Sequence, residues 1–385
     1  MKYRKNIKNG DELSILGFGC MRFSKNIKET KAQIIYAIEK GINFFDTAYT
    51  YPKSEETLGK ILTNETRKKI KISTKLPPYL ISSYEDFDKI FNKQLKRLKT
   101  DYIDYYFIHA LTDLKIWERL VKLGILEWIA EKKQTQQIIN LGFSYHGGEK
   151  EFLQLIDSYD WDFCMIQYNY LDENNQAGKK GLQYAYQKQI PIFIMEPLRG
   201  GTLVNQLPIK ALNLMKKTDP NKSPAEWGLR WVWHHEEVTM LLSGMNSMAM
   251  LKENIKIATS SEKLNKKELA MFAEIKEIML NQNQIPCTGC NYCLPCPYNV
   301  DIPTCFSCYN DYKIEGWKKG VVKYIMQTSL KKEAQNASRC VGCGICEKKC
   351  PQNIAIRKEL KKVSKKLEGI HYRPMRFVIK KILKV

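Results

Sequence analysis

No apolar run in the 385 residues reaches the ~18 needed to cross a bilayer as a helix. The opening segment, MKYRKNIKNG, is basic but has no apolar core behind it, so it does not read as a secretory signal. Cysteine is almost missing from the first 286 residues, where only Cys20 and Cys164 occur. A secreted disulfide protein would not be expected to confine its cysteines this way; a reducing compartment fits better, and a cytoplasmic protein is expected. No glycine-rich dinucleotide fingerprint follows the first predicted strand, because GFGC is too short to count. Acid is also in short supply: 41 Asp+Glu face 62 Lys+Arg, a formal net charge of +21. The deficit is greatest over residues 355–385, which hold eleven Lys/Arg and two Glu. Such a tail can meet nucleic acid, anionic lipid or an acidic protein, although a solvated Lys-rich helix is the plainer reading. Its end, RFVIKKILKV, suits a short amphipathic helix that packs on the protein or lies on a membrane surface. Nucleic acid is not an expected partner, since no base-stacking aromatics interleave the charge.

What is present is an alternation. The length suits one large domain plus a smaller one, and 44% hydrophobic with 27% charged residues is a globular composition. An Asn9-Gly10 turn signal lies between short extended runs, and LSILGFGCMRF then reads as a first strand. Helical and strand patterns follow in turn: residues 29–41 before INFFDTA, 55–62 before IKISTKL, and a helix repeating Phe87, Ile90, Phe91, Leu95 and Leu98 before YIDYYFIHA. Residues 115–137 read as helical before IINLGFSYHG; KEFLQLIDSY precedes FCMIQYNY, and GLQYAYQKQ precedes IPIFIMEPL. SPAEWGLRWVWHH, with a Ser-Pro helix start, precedes VTMLLSGM, and AMLKENIKIA closes the set. Eight such alternations over about 280 residues predict an α/β fold, a (β/α)8 TIM barrel, with an open doubly wound sheet as runner-up. One more helix, 267–280, leads to the polar stretch NQNQIP, where the barrel is expected to end at residue 282.

Three of the predicted strands end on chemistry. FFDTAYTY carries Asp46 and Tyr51, IKISTKL carries Lys75, and YIDYYFIHA carries His109. In a parallel barrel the C-terminal strand ends share one face. A free phenol, with a pKa near 10, is a poor acid at neutral pH; a lysine cation beside it favours the phenolate, and a carboxylate keeps that lysine charged and placed. A histidine there can hydrogen-bond a carbonyl oxygen. Alone, Asp46 reads as a cap or turn residue and His109 as structural; the four together read as a site.

Those strings, with STKL, GFSYH, MIQYNYLD, EPLRGG and SGMNSMAMLKEN in the same order, resemble the aldo/keto reductases over nearly residues 1–260. The resemblance implies an NAD(P)-linked oxidoreductase interconverting a carbonyl and an alcohol, with Tyr51 as proton donor among Asp46, Lys75 and His109. It implies that Ser144 and Gln167 hold the nicotinamide carboxamide, with Asn169, Tyr145 and Tyr168 nearby; barrel packing is the plainer role for the tyrosines. Pyrophosphate would lie on the loops after strands seven and eight, LRGG with Leu198 and Gly200, and SGMNS with Gly244, the latter before a helix N-terminus. Glu253 and Asn254 match the family's adenine contacts. The sequence departs from the family at Pro52-Lys53, where many members have glycine, which leaves the substrate pocket open. GMNSMAM has no basic residue before Lys252, so the choice between NAD and NADP also stays open, although Arg199 or Lys252 can reach a 2′-phosphate.

Ten of the twelve cysteines crowd into residues 287–350. Cys287, Cys290, Cys293 and Cys296 are followed by Pro297, and Cys340, Cys343, Cys346 and Cys350 by Pro351. The second set has the bacterial ferredoxin spacing and the first is a contracted version of it. Because the fourth cysteine of each run ligates the other cluster in two-cluster ferredoxins, one [4Fe-4S] cluster is expected on Cys287, Cys290, Cys293 and Cys350, the other on Cys340, Cys343, Cys346 and Cys296. Zinc held by four thiolates is the rival. Cys305 and Cys308 read as packing. This part resembles the ferredoxin-type domain that follows the barrel in a subset of aldo/keto reductases. The expected division is a barrel at 1–282, an α-rich ferredoxin-like 2x[4Fe-4S] domain at 283–357 and a basic tail at 358–385.

The leading expectation is therefore an iron–sulfur aldo/keto reductase-like enzyme. Its clusters would relay electrons, and its partners would be a small carbonyl or alcohol substrate and a ferredoxin or another redox carrier. Nicotinamide moves two electrons and each cluster one, so a flavin in the barrel or on a partner is a further candidate cofactor. The alternative is an electron-transfer iron–sulfur protein whose barrel is non-catalytic or binds flavin.

Overall fold

The computed structural model describes every residue except 25, 282, 283, 331, 332, 384 and 385. The chain forms two compact units, Met1–Pro197 with Ala225–Leu264, and Leu198–Pro224 with Asn265–Val385. The boundary expected at residue 282 lies outside the described residues.

The first unit is a closed parallel barrel. A hairpin of β1 (Tyr3–Lys5) and β2 (Glu12–Ser14) precedes β3 (Leu16–Gly19), β4 (Phe44–Asp46), β5 (Lys71–Leu76), β6 (Ile103–Leu111), β7 (Ile138–Tyr145), β8 (Phe163–Gln167), β9 (Ile192–Met195) and β10 (Val238–Ser243). Each barrel strand pairs with the next, and β10 returns to β3 with Leu241 opposite Leu16. Closure decides between the barrel and the open sheet. Strands buried on both faces need apolar side chains on both, and the interior is filled largely by aromatics: Phe44, Tyr105, Phe107, Phe163 and Phe193 pack with Met240. Phe107 and Phe163 meet edge to face at 4.6 Å, Phe44 and Phe193 at 5.2 Å. The turn expected at Asn9-Gly10 joins the hairpin, with Gly10 at φ +80, and Tyr105 donates its hydroxyl to Asp11 at 2.7 Å.

Three local expectations are revised. The first barrel strand is only Leu16–Gly19, because the residues before it turn into the hairpin and Cys20–Arg22 form a 3-10 turn. The helical stretch expected over 115–137 is two helices, Leu114–Lys122 and Ile125–Gln134, since Gly124 sits at φ +88. A Cβ on Gly124 would also lie 2.8 Å from the Tyr84 ring. On helix Glu85–Leu98 the face meeting the barrel includes fully buried Gln94, and Leu95 is only half-buried. Gln94 is held inside by hydrogen bonds to Glu55 Oε1, Thr74 Oγ1 and the Lys75 carbonyl, each 3.0 Å, so a polar residue replaces the expected apolar one.

The second unit is helical among its described residues. Helix Ile209–Thr218 packs on helix Lys266–Asn281. Helices Ile302–Glu315 and Trp317–Tyr324 are broken at Gly316, φ +88, and cross closely, for a Cβ on Gly320 would fall 2.4 Å from that of Tyr312. Helix Ile356–Leu367 turns Ile356, Leu360, Val363 and Leu367 into a core with Phe306, Val321, Tyr324 and Ile325. Helix Tyr372–Leu383 adds Tyr372 and, at its margin, Met375 and Ile379. Among the described residues no helix is long and apolar enough to cross a membrane.

Candidate active site and cysteine hollows

Asp46 ends β4, Lys75 lies one residue from the end of β5, and His109 lies near the end of β6, so parallel pairing brings them to one rim of the barrel. The Lys75 ammonium lies 2.5 Å from Asp46 Oδ1 and 2.7 Å from the Thr47 carbonyl, and the Ser73 hydroxyl donates to the same Asp46 oxygen at 2.7 Å. Lys75 Nζ stands 5.0 Å from the Tyr51 ring centroid, and the Tyr51 and His109 rings meet edge to face at 6.1 Å. The structure thus assembles the four expected residues. Asp46, Lys75 and His109 are buried and Tyr51 is half-buried.

Burial sets the electrostatics. It pulls the Lys75 pKa down, and the Asp46 carboxylate opposes that pull. His109 is held well below the ordinary histidine value by burial, then by the Lys75 charge and by His146, so its ring is neutral at physiological pH. Cys20, buried just after β3, is pushed far up by burial and the Asp46 charge and is an inert thiol.

His109 is aimed by an irregularity. The β6–β7 register shifts between Ile108 and Leu111, and Ala110 adopts φ +52, a left-handed conformation unusual for a residue with a Cβ. The Ala110 N–H donates to Ser144 Oγ at 2.8 Å, which ties Ser144 to the strand that carries His109. Lys53 also stands at φ +57, where the family tends to place glycine.

Two functional candidates lay beyond sequence reasoning. His146, one residue past β7, is buried, hydrogen-bonds Gln176 Oε1 through Nδ1 at 3.2 Å, and is pushed down to about 4 by burial. Gln176 in turn donates to Gln167 Oε1 at 2.9 Å, and Gln167 and Asn169 both donate to Asp172 Oδ2 at 3.1 Å. Gln167 and Asn169 therefore share a buried polar network with a second histidine. Arg22 is the other: a Cβ on Gly244 would lie 4.0 Å from Arg22 Cδ and 3.9 Å from the Gly19 carbonyl, so the Gly244 loop is open and has a cation beside it. The string GFSYH contains His146, but a lone histidine carries no role by itself, and nothing sequential joins Arg22 to Gly244.

The remaining expected residues fall as follows. Asn254 is buried and donates to Ser243 Oγ at 3.0 Å, and Glu253 is exposed on the same helix, Met248–Ser260. Tyr145 packs on Phe152 with its hydroxyl on the Gly148 carbonyl, and Tyr168 is buried against Trp231 and His235, so both are barrel packing. Leu198 and Gly200 belong to the second unit, where Gly200, φ +65, approaches Thr288 so closely that a Cβ would sit 2.0 Å from its carbonyl oxygen. The amide cluster and the open glycine loop are a donor set that suits a nicotinamide nucleotide.

Cys287, Cys290, Cys293 and Cys350 line one hollow of the second unit, walled by Ile302, Phe306 and Ile356. Cys293, Cys296, Cys340, Cys343 and Cys346 line another, together with Val300 and Leu360. Each hollow draws cysteines from both runs. Burial pushes the Cys293 thiol up, and Cys287, Cys290 and Cys350 stand close enough to raise it further. Among the described residues no three His, Cys, Asp or Glu side chains converge on a point that could hold a metal ion directly. Four soft sulfur donors in an apolar hollow are nonetheless the donor set of an iron–sulfur cluster. Cys305 and Cys308 line neither hollow; they are buried in the helical core, with Cys308 Sγ 3.4 Å from Gln327 Oε1.

Comparison with known proteins bears on both units. Residues 15–277 match the model of the aldo/keto reductase family, and residues 286–355 match that of the 4Fe-4S dicluster domain. The chain is 23% identical over 308 residues to an uncharacterized oxidoreductase, YqkF, of Bacillus subtilis, covering 70% of this chain and 94% of that one. It is 26% identical over 277 residues to the methylglyoxal reductase YeaE of Escherichia coli, covering 69% and 92%. An aldo-keto reductase from Bacillus halodurans, solved in holo form, superposes with a TM-score of 0.60 at 24% identity, covering 71% of this chain and 96% of that one.

Proposed function

The chain belongs to the aldo/keto reductase family, and from that premise we propose that it interconverts a small carbonyl compound and its alcohol, with Tyr51 passing the proton. A nicotinamide nucleotide would supply or accept the hydride. Ser144, Gln167 and Asn169 would hold its carboxamide, Gly244 and Arg22 its phosphates, and Glu253 and Asn254 its adenine; Leu198 and Gly200 are assigned by family resemblance alone. The Tyr51 hydroxyl donates to the carbonyl oxygen as that oxygen gains charge, and the buried Lys75 ammonium stabilises the phenolate left behind. Asp46, bonded to Lys75 and Ser73, keeps the ammonium charged and in place. His109, neutral because it is buried, offers a ring N–H to the carbonyl oxygen and orients the substrate without adding charge.

The second unit would hold two four-iron clusters, one on Cys287, Cys290, Cys293 and Cys350, the other on Cys340, Cys343, Cys346 and Cys296. Such clusters supply one-electron transfer when bound. The reading is thus a reductase joined to an electron-relay domain, and the observation that carries it is the Lys75–Asp46 ion pair beside the Tyr51 and His109 rings. Tyr51→Phe tests it. The rate of carbonyl reduction with NAD(P)H should fall at least ~100-fold, as loss of a general acid does, with nucleotide affinity by fluorescence titration unchanged. Retention of most of the wild-type rate would remove Tyr51 from the role.

A further inference from the structure

Exposed apolar side chains line the second hollow. Val341 is 61% exposed, Ile345 45% and Tyr298 43%, and all three line that hollow with Cys343, itself exposed. Large apolar side chains gathered around a cysteine-lined hollow call for a partner that covers them.

Basic side chains outnumber acidic ones around this patch. Arg339 is exposed and donates through Nε to the Tyr298 carbonyl at 3.2 Å. Lys348 and Lys349 are exposed at and just past the end of the short helix that carries Ile345 and Cys346. Arg357 starts the helix Ile356–Leu367; its guanidinium carbon would lie 3.4 Å from a Cβ on Gly344, between Cys343 and Cys346. From there Lys358, Lys361, Lys362, Lys365 and Lys366 continue the exposed face of that helix, whose apolar face is buried. The acids within this arc are already engaged: Glu347 pairs with Arg357 and Glu359 with Lys362.

We propose that this face, centred on Val341, Cys343 and Ile345 and ringed by Arg339, Lys348 and Arg357, is the docking surface for a small acidic protein of the one-electron carrier class. The assignment rests on the reading that the cysteine hollows hold clusters. An apolar centre over the hollow brings a carrier's own cofactor near the cysteines, and the basic ring selects a carrier of opposite charge and speeds its encounter. A flat polyanion would need the charge but not the apolar centre.

The test is direct binding of an acidic ferredoxin to the full-length holoprotein, by calorimetry, between about 50 and about 300 mM salt. Affinity should fall steeply with salt. It should drop about tenfold in Arg339→Glu/Lys348→Glu, and also drop in Val341→Ser/Ile345→Ser at both salt concentrations, with the visible cluster absorption of both variants unchanged. Lys380→Glu/Lys381→Glu, on the helix Tyr372–Leu383, should leave binding as it is. No ferredoxin binding, or binding indifferent to the first two variants, would overturn the proposal. So would duplex DNA or phosphatidylglycerol vesicles that bind more tightly and lose affinity through the same substitutions. Carbonyl reduction with NAD(P)H, assayed alongside, reports separately on the barrel: its failure with carrier binding intact would count against the reductase reading and leave the docking surface standing.

Discussion

At the scale of single residues, burial settles protonation states that residue type alone leaves open. His146 illustrates this: its ordinary value is 6.5, and the fold pushes it down to about 4. Above pH 6.5 both folded and unfolded chains hold it neutral, so it contributes nothing. As pH falls below 6.5 the unfolded chain takes a proton that the folded chain refuses, and stability is lost until about pH 4, by roughly 3 kcal/mol. His109, lowered for the same reason, acts in the same direction. His146→Gln should therefore lose about 2–3 kcal/mol less than wild type between pH 7.5 and pH 4.5. Urea unfolding followed by tryptophan fluorescence measures this in the barrel unit, which holds six of the seven tryptophans. Parallel losses in the two proteins would show that His146 is not the group responsible. The residue types of the candidate site were legible in sequence because Asp46, Lys75 and His109 lie at the ends of predicted strands, whereas the state of His146 depends on Gln176, thirty residues away, and on exclusion of water.

At the scale of elements, the strands deliver the site, and one irregularity refines it. Between Ile108 and Leu111 the β6–β7 pairing shifts, with Ala110 at φ +52 and its N–H on Ser144. Ala110→Gly should keep stability within a few tenths of a kcal/mol and retain turnover. A β-branched side chain cannot take that conformation cheaply, so Ala110→Val should cost about 1–2 kcal/mol and slow carbonyl reduction by displacing His109. Equal stability and turnover in the two variants would mean that the bulge does not aim the histidine. The periodicities that predicted the helices were sound where every residue favoured a helix, and missed the break at Gly124 because glycine in a helical pattern is tolerated until a neighbour such as Tyr84 excludes a Cβ.

At the scale of the whole molecule, regions of two families share one chain. Anaerobically purified protein should contain about eight iron atoms per chain, and Cys350→Ala about four. Cys287→Ala/Cys350→Ala should lose no more iron than Cys350→Ala alone, because both residues line one hollow; Cys340→Ala/Cys350→Ala should lose nearly all of it. Stoichiometric zinc, or equal losses from the two double variants, would refute the crossed assignment. The sequence by itself determined the alternation of strands and helices, the residue types at the strand ends and the cysteine spacings, since each is a property of neighbouring residues and a local period. Tertiary structure decided what depends on distant partners. It closed the barrel by pairing β10 with β3, joined Lys75 to Asp46 across twenty-nine residues, and brought Cys350 to the first cysteine run and Cys296 to the second. It also decided charge: removal from water, together with the charges that folding brings close, is what shifts the proton affinities of His109 and Lys75.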